Sequence, residues 1–133
     1  MFAVMLINKV QTLLEGPNYA VLTVVLPGGT PASHMMWAGS DGEHVLINTE
    51  VHRHKFKNLA VGAKATVVVF ENSYSWAEVR GTVVEHVTGP AARTNIDDLA
   101  KRYTGNPYAM DIVSERVIVK IRPDYQFAFP PGS

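Results

Sequence analysis

The sequence predicts a mainly β protein: a closed antiparallel barrel with few helices, in one domain that spans residues 1–133. Many short apolar runs are separated by tight turns rich in Gly, Pro, Asn and Asp, and only a few segments show helical periodicity. A chain that is 47% hydrophobic but only 133 residues long can fill one core and is too short for two ordinary domains. Closure into a barrel would also remove exposed strand edges.

The first half of the chain predicts one helix and three strands. Four leucine and valine residues between positions 6 and 14 recur at helical spacing, and Gly16-Pro17 ends that pattern. The apolar run 19–26 predicts a strand, and a Pro-Gly-Gly turn leads into a second strand over 30–38. After another turn, residues 43–49 predict a third strand. We expect these three strands to pair in order as a meander.

In the second half, charged and apolar segments alternate. Residue Gly81 interrupts a long strand pattern and predicts a bend or bulge. Apolar residues at helical spacing follow Pro90, which is tolerated in the first turn of a helix. We therefore expect a short helix over 52–60, strands over 65–70 and 76–87, a helix between Pro90 and Gly105, and a closing strand over 115–122. The sheet would have about six strands.

Composition excludes several classes of function. The formal net charge is zero, so no positive field favours a nucleic acid or an anionic membrane as partner. With no cysteine, the chain has no disulfide, thiolate metal site or thiol nucleophile. No apolar run is long enough to span a bilayer, and the polar residues Asn8, Lys9 and Gln11 do not fit a signal peptide. We interpret the chain as a cytoplasmic protein whose partner is a small molecule.

The unbroken apolar run at 19–26 also bears on assembly. Strands of this kind are typically covered on both faces, here by the barrel interior and by something outside it. A second subunit is the natural cover, so the sequence predicts a homodimer.

The segment 48–58 carries the strongest chemical signal. Residues Arg53, Lys55 and Lys57 lie where a strand ends and a short helix begins, although the start of a helix carries a partial positive charge. A bound anion would resolve this conflict, and an arginine fork beside lysine charges suits a phosphate. From this local pattern alone, it is an equal alternative that these three residues are ordinary surface charges in contact with solvent.

Several motifs occur in one order along the chain. They are the segments 18–23, 29–37 and 41–49, then Arg53, Lys55 and Asn58, then Val79-Arg80-Gly81-Thr82-Val83. In order and spacing they resemble the pyridoxamine-phosphate-oxidase-like split β-barrel family of flavin and deazaflavin oxidoreductases. The resemblance extends from about Gly16 to Pro123.

This resemblance implies a homodimeric, FMN-binding-like split barrel with two cofactor sites at the subunit interface. The cofactor would be the deazaflavin F-420, with FMN as the alternative, and it would transfer hydride to an unsaturated or conjugated small molecule. By resemblance, Arg53 and Lys55 would hold the phosphate. The row of positive charges at Arg53, Lys55 and Lys57 would suit the longer anionic tail of F-420. The neighbouring residues implied are Asn48, Thr49 and Asn58 as hydrogen-bond partners, Thr30, Pro31 and Ser33 near the ring, and Trp76 from the partner chain.

The sequence departs from the family pattern at two places, and one alternative function stays open. Met35-Met36-Trp37 and His52 stand where the family commonly has other residues. A metal site at His52 and His54 is not expected because further ligands are not evident. His34 is interpreted as structural, with proton donation as the alternative, so no catalytic residue is assigned. The rival function is a protein that binds or sequesters a flavin, haem or tetrapyrrole without turnover.

Overall fold

The computed structural model describes residues 4–133 and forms one antiparallel sheet with three helices. The strands of the sheet lie in the order β2-β1-β5-β6-β7-β4-β3. In chain order the elements are α1 (Asn8–Glu15), β1 (Ala20–Val25), β2 (Pro31–Met36), β3 (Gly39–Ser40), β4 (Val45–Glu50), α2 (His54–Lys57), β5 (Lys64–Asn72), β6 (Ser75–Val87), α3 (Pro90–Thr104) and β7 (Arg116–Phe129).

The two edges of this sheet are joined by only two residues. Strands β2 and β3 lie at opposite ends of the strand order, yet Trp37 and Ala38 are all that separates them in the chain. Because so short a link cannot cross a flat seven-stranded sheet, the sheet curls and brings its two edges near each other at this link, although β2 and β3 do not pair. The prediction of a mainly β, split β-barrel fold is confirmed.

The interior of the curled sheet is the main core. Alternate residues of β1, β5 and β6 point inward, among them Leu22, Val67 and Val79, and each is at most 1% exposed. Helix α1 closes this core with Val10, Leu13 and Leu14. The burial of these leucines is the physical reason for the helical spacing seen in the sequence.

The expected meander of three strands is wrong. Strand β4 does not pair with β1 or β2; its neighbours are β3 and β7. The short link at Trp37 carries the chain from one sheet edge to the other, so the third run cannot return beside the second. The sheet also has seven strands instead of about six, because the two residues of β3 form an additional strand. Strand β7 is longer than expected and continues through Pro123 to Phe129.

Helix α3 covers the outer face of β4 and β7. Its residue Ala92 packs with Leu46 and Ile118 in a second apolar cluster outside the barrel interior. All six residues of β4 are consequently buried, since one face lies against the core and the other against this cluster. Polar side chains at the end of β4 are therefore enclosed, which positions the site described below.

The bend predicted at Gly81 is confirmed as an irregularity in strand register. The pairing of β6 with β7 shifts between Arg80 and Gly81. A Cβ atom at Gly81 would lie 2.3 Å from the carbonyl oxygen of Arg122 and 2.6 Å from Cγ2 of Ile121. Only glycine permits this approach of the two backbones. Within residues 4–133, no helix combines the length and apolar character needed to cross a membrane.

Candidate phosphate-binding cleft

A cleft of about 270 Å³ opens where the ends of β2 and β4 meet α2, α3 and the loop before β7. We call it the cation cleft, because the charged residues that line it are Arg53, Lys55 and Arg116. No carboxylate is among its described lining residues. Its remaining walls are mainly apolar or aromatic, formed by Tyr19, Met35, Met36, Trp37, Ile96, Leu99 and Tyr108.

Asn48 is fixed at the base of the cleft by hydrogen bonds on both sides of its amide. The Nδ2 atom donates to the carbonyl oxygen of Ala92 and to Oδ1 of Asn95, each at 2.9 Å. Its Oδ1 atom accepts a hydrogen bond from Nε of Arg116 at 2.8 Å. Asn48 therefore anchors the Arg116 side chain to helix α3.

Glu50 lies beneath the cations and is 1% exposed. Its Oε1 atom accepts hydrogen bonds from the backbone N–H groups of Val113 at 2.7 Å and Ser114 at 2.9 Å. Its Oε2 atom lies 3.6 Å from Nη2 of Arg53 and 3.9 Å from Nη1 of Arg116. One buried carboxylate thus faces two guanidinium groups.

The environment of Glu50 keeps it ionised. Burial acts to raise its pKa, but the Ser114 and Val113 N–H groups and the charge of Arg116 outweigh that effect and hold the pKa below the ordinary value. The carboxylate therefore supplies one negative charge against the three cations of the cleft. The cluster as a whole keeps an excess of positive charge.

One polar atom of a cleft residue lacks a partner. Among the described residues, Nη1 of Arg116 is buried and has no hydrogen-bond partner. The Oγ1 atom of Thr49 is also buried without a partner there, but Thr49 is not a lining residue of the cleft. Burial and the charges of Arg53 and Arg116 lower the pKa of Lys55. A bound anion would accept hydrogen bonds from the unused donor and would reduce the repulsion between the cations. The residues present therefore fit a phosphate group.

The predicted site residues divide into two groups. Asn48, Arg53 and Lys55 line the cation cleft, and Thr49 is buried beside Asn48 on β4. Lys57 is exposed and outside the lining, while Nδ2 of Asn58 donates to the carbonyl oxygen of His54. The roles of Lys57 and Asn58 toward a cofactor stay predictions.

The residues expected near the cofactor ring do not line the cleft of a single chain. Thr30, Pro31 and Ser33 are exposed, and Oγ of Ser33 lies 2.9 Å from Oγ1 of Thr23. Trp76 stacks on Phe129 and lines a separate depression on the outer surface. Their placement at a cofactor, with Trp76 supplied by a partner chain, also stays a prediction.

The histidines do not form a metal site in the part of the chain that the structure describes. No group of three or more His, Cys, Asp or Glu side chains is arranged to hold a metal there. Nδ1 of His52 lies 2.6 Å from Oγ of Ser114, and His54 is exposed. His34 lies on the half-buried face of β2 together with Ala32 and Met36, which pack against the core.

Sequence reasoning missed Glu50, Tyr108 and Arg116. Arg116 begins the last strand, β7, and is only 6% exposed. Its Cζ atom lies 5.1 Å from the centre of the Tyr108 ring, which covers it. The signal lies in the strand pairing, where Glu50 and Arg116 are directly opposite each other, and no local pattern in the sequence shows that pairing.

Comparisons with known proteins identify the family. The model of the family described as pyridoxamine 5'-phosphate oxidase matches residues 6–128, whereas no curated protein matches the chain. A solved F-420 reductase is 32% identical, with 87% of this chain and 94% of that chain covered and a TM-score of 0.74.

More distant structures share the fold. General Stress Protein 26 from Bacillus anthracis str. Sterne is 19% identical, with 92% of each chain covered and a TM-score of 0.69. The FAD and heme binding protein from Mycobacterium smegmatis is 20% identical, with 94% of this chain and 71% of that chain covered and a TM-score of 0.65. By the match over residues 6–128, together with the split-barrel fold, this chain belongs to the pyridoxamine 5'-phosphate oxidase family.

Proposed function

We propose that the protein binds coenzyme F-420, or alternatively FMN, and acts as an oxidoreductase that reduces an unsaturated or conjugated small molecule. The observation that carries this proposal is the cation cleft, in which Arg53, Lys55 and Arg116 face a single carboxylate of the described residues, that of Glu50, and so keep an excess of positive charge. Such a cleft matches the phosphate that both cofactors bear. The likeness to an F-420 reductase at 32% identity supports the choice of cofactor class.

The chain itself supplies binding, orientation and a partly dry pocket. Arg53 and Lys55 would hold the phosphate from the side of α2, while Met36 and Trp37 provide apolar wall. Trp37 is held rigidly because its ring stacks on that of Tyr103 with the centroids 5.3 Å apart. When bound, the deazaflavin or flavin supplies the hydride chemistry. This mechanism requires no catalytic triad, and no catalytic residue is assigned.

We expect F-420 to bind more tightly than FMN. The tail of F-420 continues beyond its phosphodiester and carries further negative charges, which exposed Lys57 on α2 would attract as the tail leaves the cleft. Parallel fluorescence titrations at one salt concentration measure both affinities, because salt screens tail contacts. Lys57→Ala should weaken F-420 more than FMN. If FMN binds at least as tightly, or co-purifies in stoichiometric amount, the F-420 assignment is wrong.

The test of turnover separates the proposed enzyme from its rival, a protein that binds a flavin, haem or tetrapyrrole without reaction. An absorption spectrum of the freshly purified protein, with mass identification of any released chromophore, identifies the bound group. Reduction of an added unsaturated compound by the reduced cofactor then supports the enzyme. Tight binding without any turnover supports the rival. The cytoplasmic location stays a prediction.

We also propose that the protein is a homodimer. Val25 on β1, Met35 on β2 and Tyr19, which directly precedes β1, are at least half exposed in the single chain, which leaves apolar surface uncovered. Val68, Phe70 and Trp76 line an apolar outer depression of about 570 Å³. A second copy would cover such surface and complete the predicted shared sites. Light scattering should give twice the chain mass of 14.6 kDa. A monomeric mass at micromolar concentration would contradict the dimer.

A further inference from the structure

Arg116 has binding capacity that the protein leaves unused. Its side chain is 6% exposed, and its Nε atom donates a hydrogen bond to Oδ1 of Asn48 at 2.8 Å. Nη1 has no hydrogen-bond partner among the described residues and lies 3.9 Å from the nearest Glu50 oxygen. An arginine fork carries five N–H donors, and burying them unpaired costs free energy.

The position of Arg116 explains why a ligand, and not the protein, would use these donors. The side chain lines the cation cleft next to Arg53 and Lys55. The Tyr108 ring covers the guanidinium, and Asn48 fixes its Nε edge. These contacts leave the fork little freedom to turn toward solvent.

Charge leads to the same conclusion. Glu50 Oε2 is shared between Arg53 and Arg116 at distances beyond ordinary hydrogen bonds, 3.6 Å and 3.9 Å. Its other oxygen is occupied by the backbone N–H groups of Val113 and Ser114. Glu50 thus holds both guanidinium groups near each other without satisfying either of them.

We propose that Arg116 is a direct ligand for the anionic oxygens of a phosphate group, and that Asn48 and Glu50 are its positioning residues. This inference rests on the proposed function, because it assigns a residue to the phosphate of the same cofactor. It adds a ligand from β7, the strand paired with β4, to Arg53, which directly precedes α2, and Lys55 on α2. The phosphate would then be held between two walls of the cleft.

The probe for the test is inorganic phosphate, measured by isothermal titration and by the rise in thermal midpoint that phosphate causes. Arg116→Gln removes the charge, and Arg116→Lys keeps the charge but loses the fork. We expect both variants to bind phosphate at least tenfold more weakly, with the larger loss in Arg116→Gln. The matched control is Arg122→Gln on the same strand, where the arginine is exposed and paired with Asp124 at 3.2 Å.

A merely structural Arg116 gives a different result. Its variants would unfold at lower temperature, but phosphate would still raise the midpoint as much as it does in the wild type. That outcome, or a wild type that does not bind phosphate at millimolar concentration, would overturn the assignment.

A second measurement needs no variant and so does not depend on how well the variants fold. In the wild-type protein, the nuclear magnetic resonance signal of the Arg116 Nε–H group should shift during a phosphate titration, whereas that of Arg122 should not. An unchanged Arg116 signal at saturating phosphate would overturn the proposal. Because inorganic phosphate is the probe, its result is independent of whether F-420 or FMN binds and of whether turnover occurs.

Discussion

Replacing Arg53 or Lys55 with alanine should weaken cofactor binding ten- to a hundredfold and leave the fold intact. Hydrogen bonds to charged groups contribute about 1.5–3 kcal/mol each, which corresponds to that range of affinity. The fold should survive because the Arg53 side chain is 39% exposed, and Glu50 keeps its two backbone hydrogen bonds and its proximity to Arg116 without it. Isothermal titration with F-420 and with FMN measures the change.

The control for this prediction is Arg93→Ala. Arg93 is exposed to a similar degree, at 48%, and pairs with Asp97 on α3 at 3.1 Å, and it is not a lining residue of the cation cleft. Its loss should leave cofactor affinity within twofold. If the affinity is unchanged in both Arg53→Ala and Lys55→Ala, the two residues are ordinary surface charges and do not bind the cofactor.

Glu50→Gln should destabilise the fold strongly. The substitution leaves buried Arg116 without its nearby carboxylate, and removal of one partner from a buried ion pair typically costs about 3–5 kcal/mol. Urea denaturation measures this loss. The control is Glu85→Gln, since the Glu85 carboxylate is 57% exposed and lies 3.8 Å from Lys120. A change no larger than in this control would contradict the prediction. Added phosphate should restore part of the lost stability, because it supplies negative charge to the same cations.

The same residue predicts how stability depends on acid. The pKa of Glu50 is lower in the folded protein than its ordinary value, so the unfolded chain binds this proton more readily. The contribution of Glu50 is fully present above the ordinary pKa of a glutamate and is lost as the pH falls through the lower folded pKa. Denaturation midpoints measured across this acidic range should fall in the wild type. The part of that slope due to Glu50 should be absent in Glu50→Gln.

The sequence predicts the fold class well because local patterns are informative for single strands and helices. The spacing of Leu13 and Leu14 and the position of Gly81 each reflect packing that the structure contains. Which strands pair is a different matter. The link at Trp37-Ala38 crosses from one sheet edge to the other, and no local periodicity encodes that step.

The same limit explains which site residues could be predicted. Arg53 and Lys55 are adjacent in the chain to the strand end that presents them, so a local conflict of charge with a helix start was enough to identify them. Arg116 lies on another strand, and its importance follows only from its position opposite Glu50. The pattern of residues along β7 does not show that the Tyr108 ring covers this side chain.

The pairing of β4 with β7 has a consequence for the order of folding. The hairpins β1–β2 and β5–β6 join neighbouring segments, whereas the contact of Asn48 with Arg116 joins residues 68 positions apart. Closing so long a loop costs more chain entropy than closing a hairpin, so we expect this pairing to form late. Because the cation cleft needs side chains from both strands, an intermediate that contains only the hairpins has no complete anion site. Cofactor would therefore be captured only by chains that have joined these two distant strands.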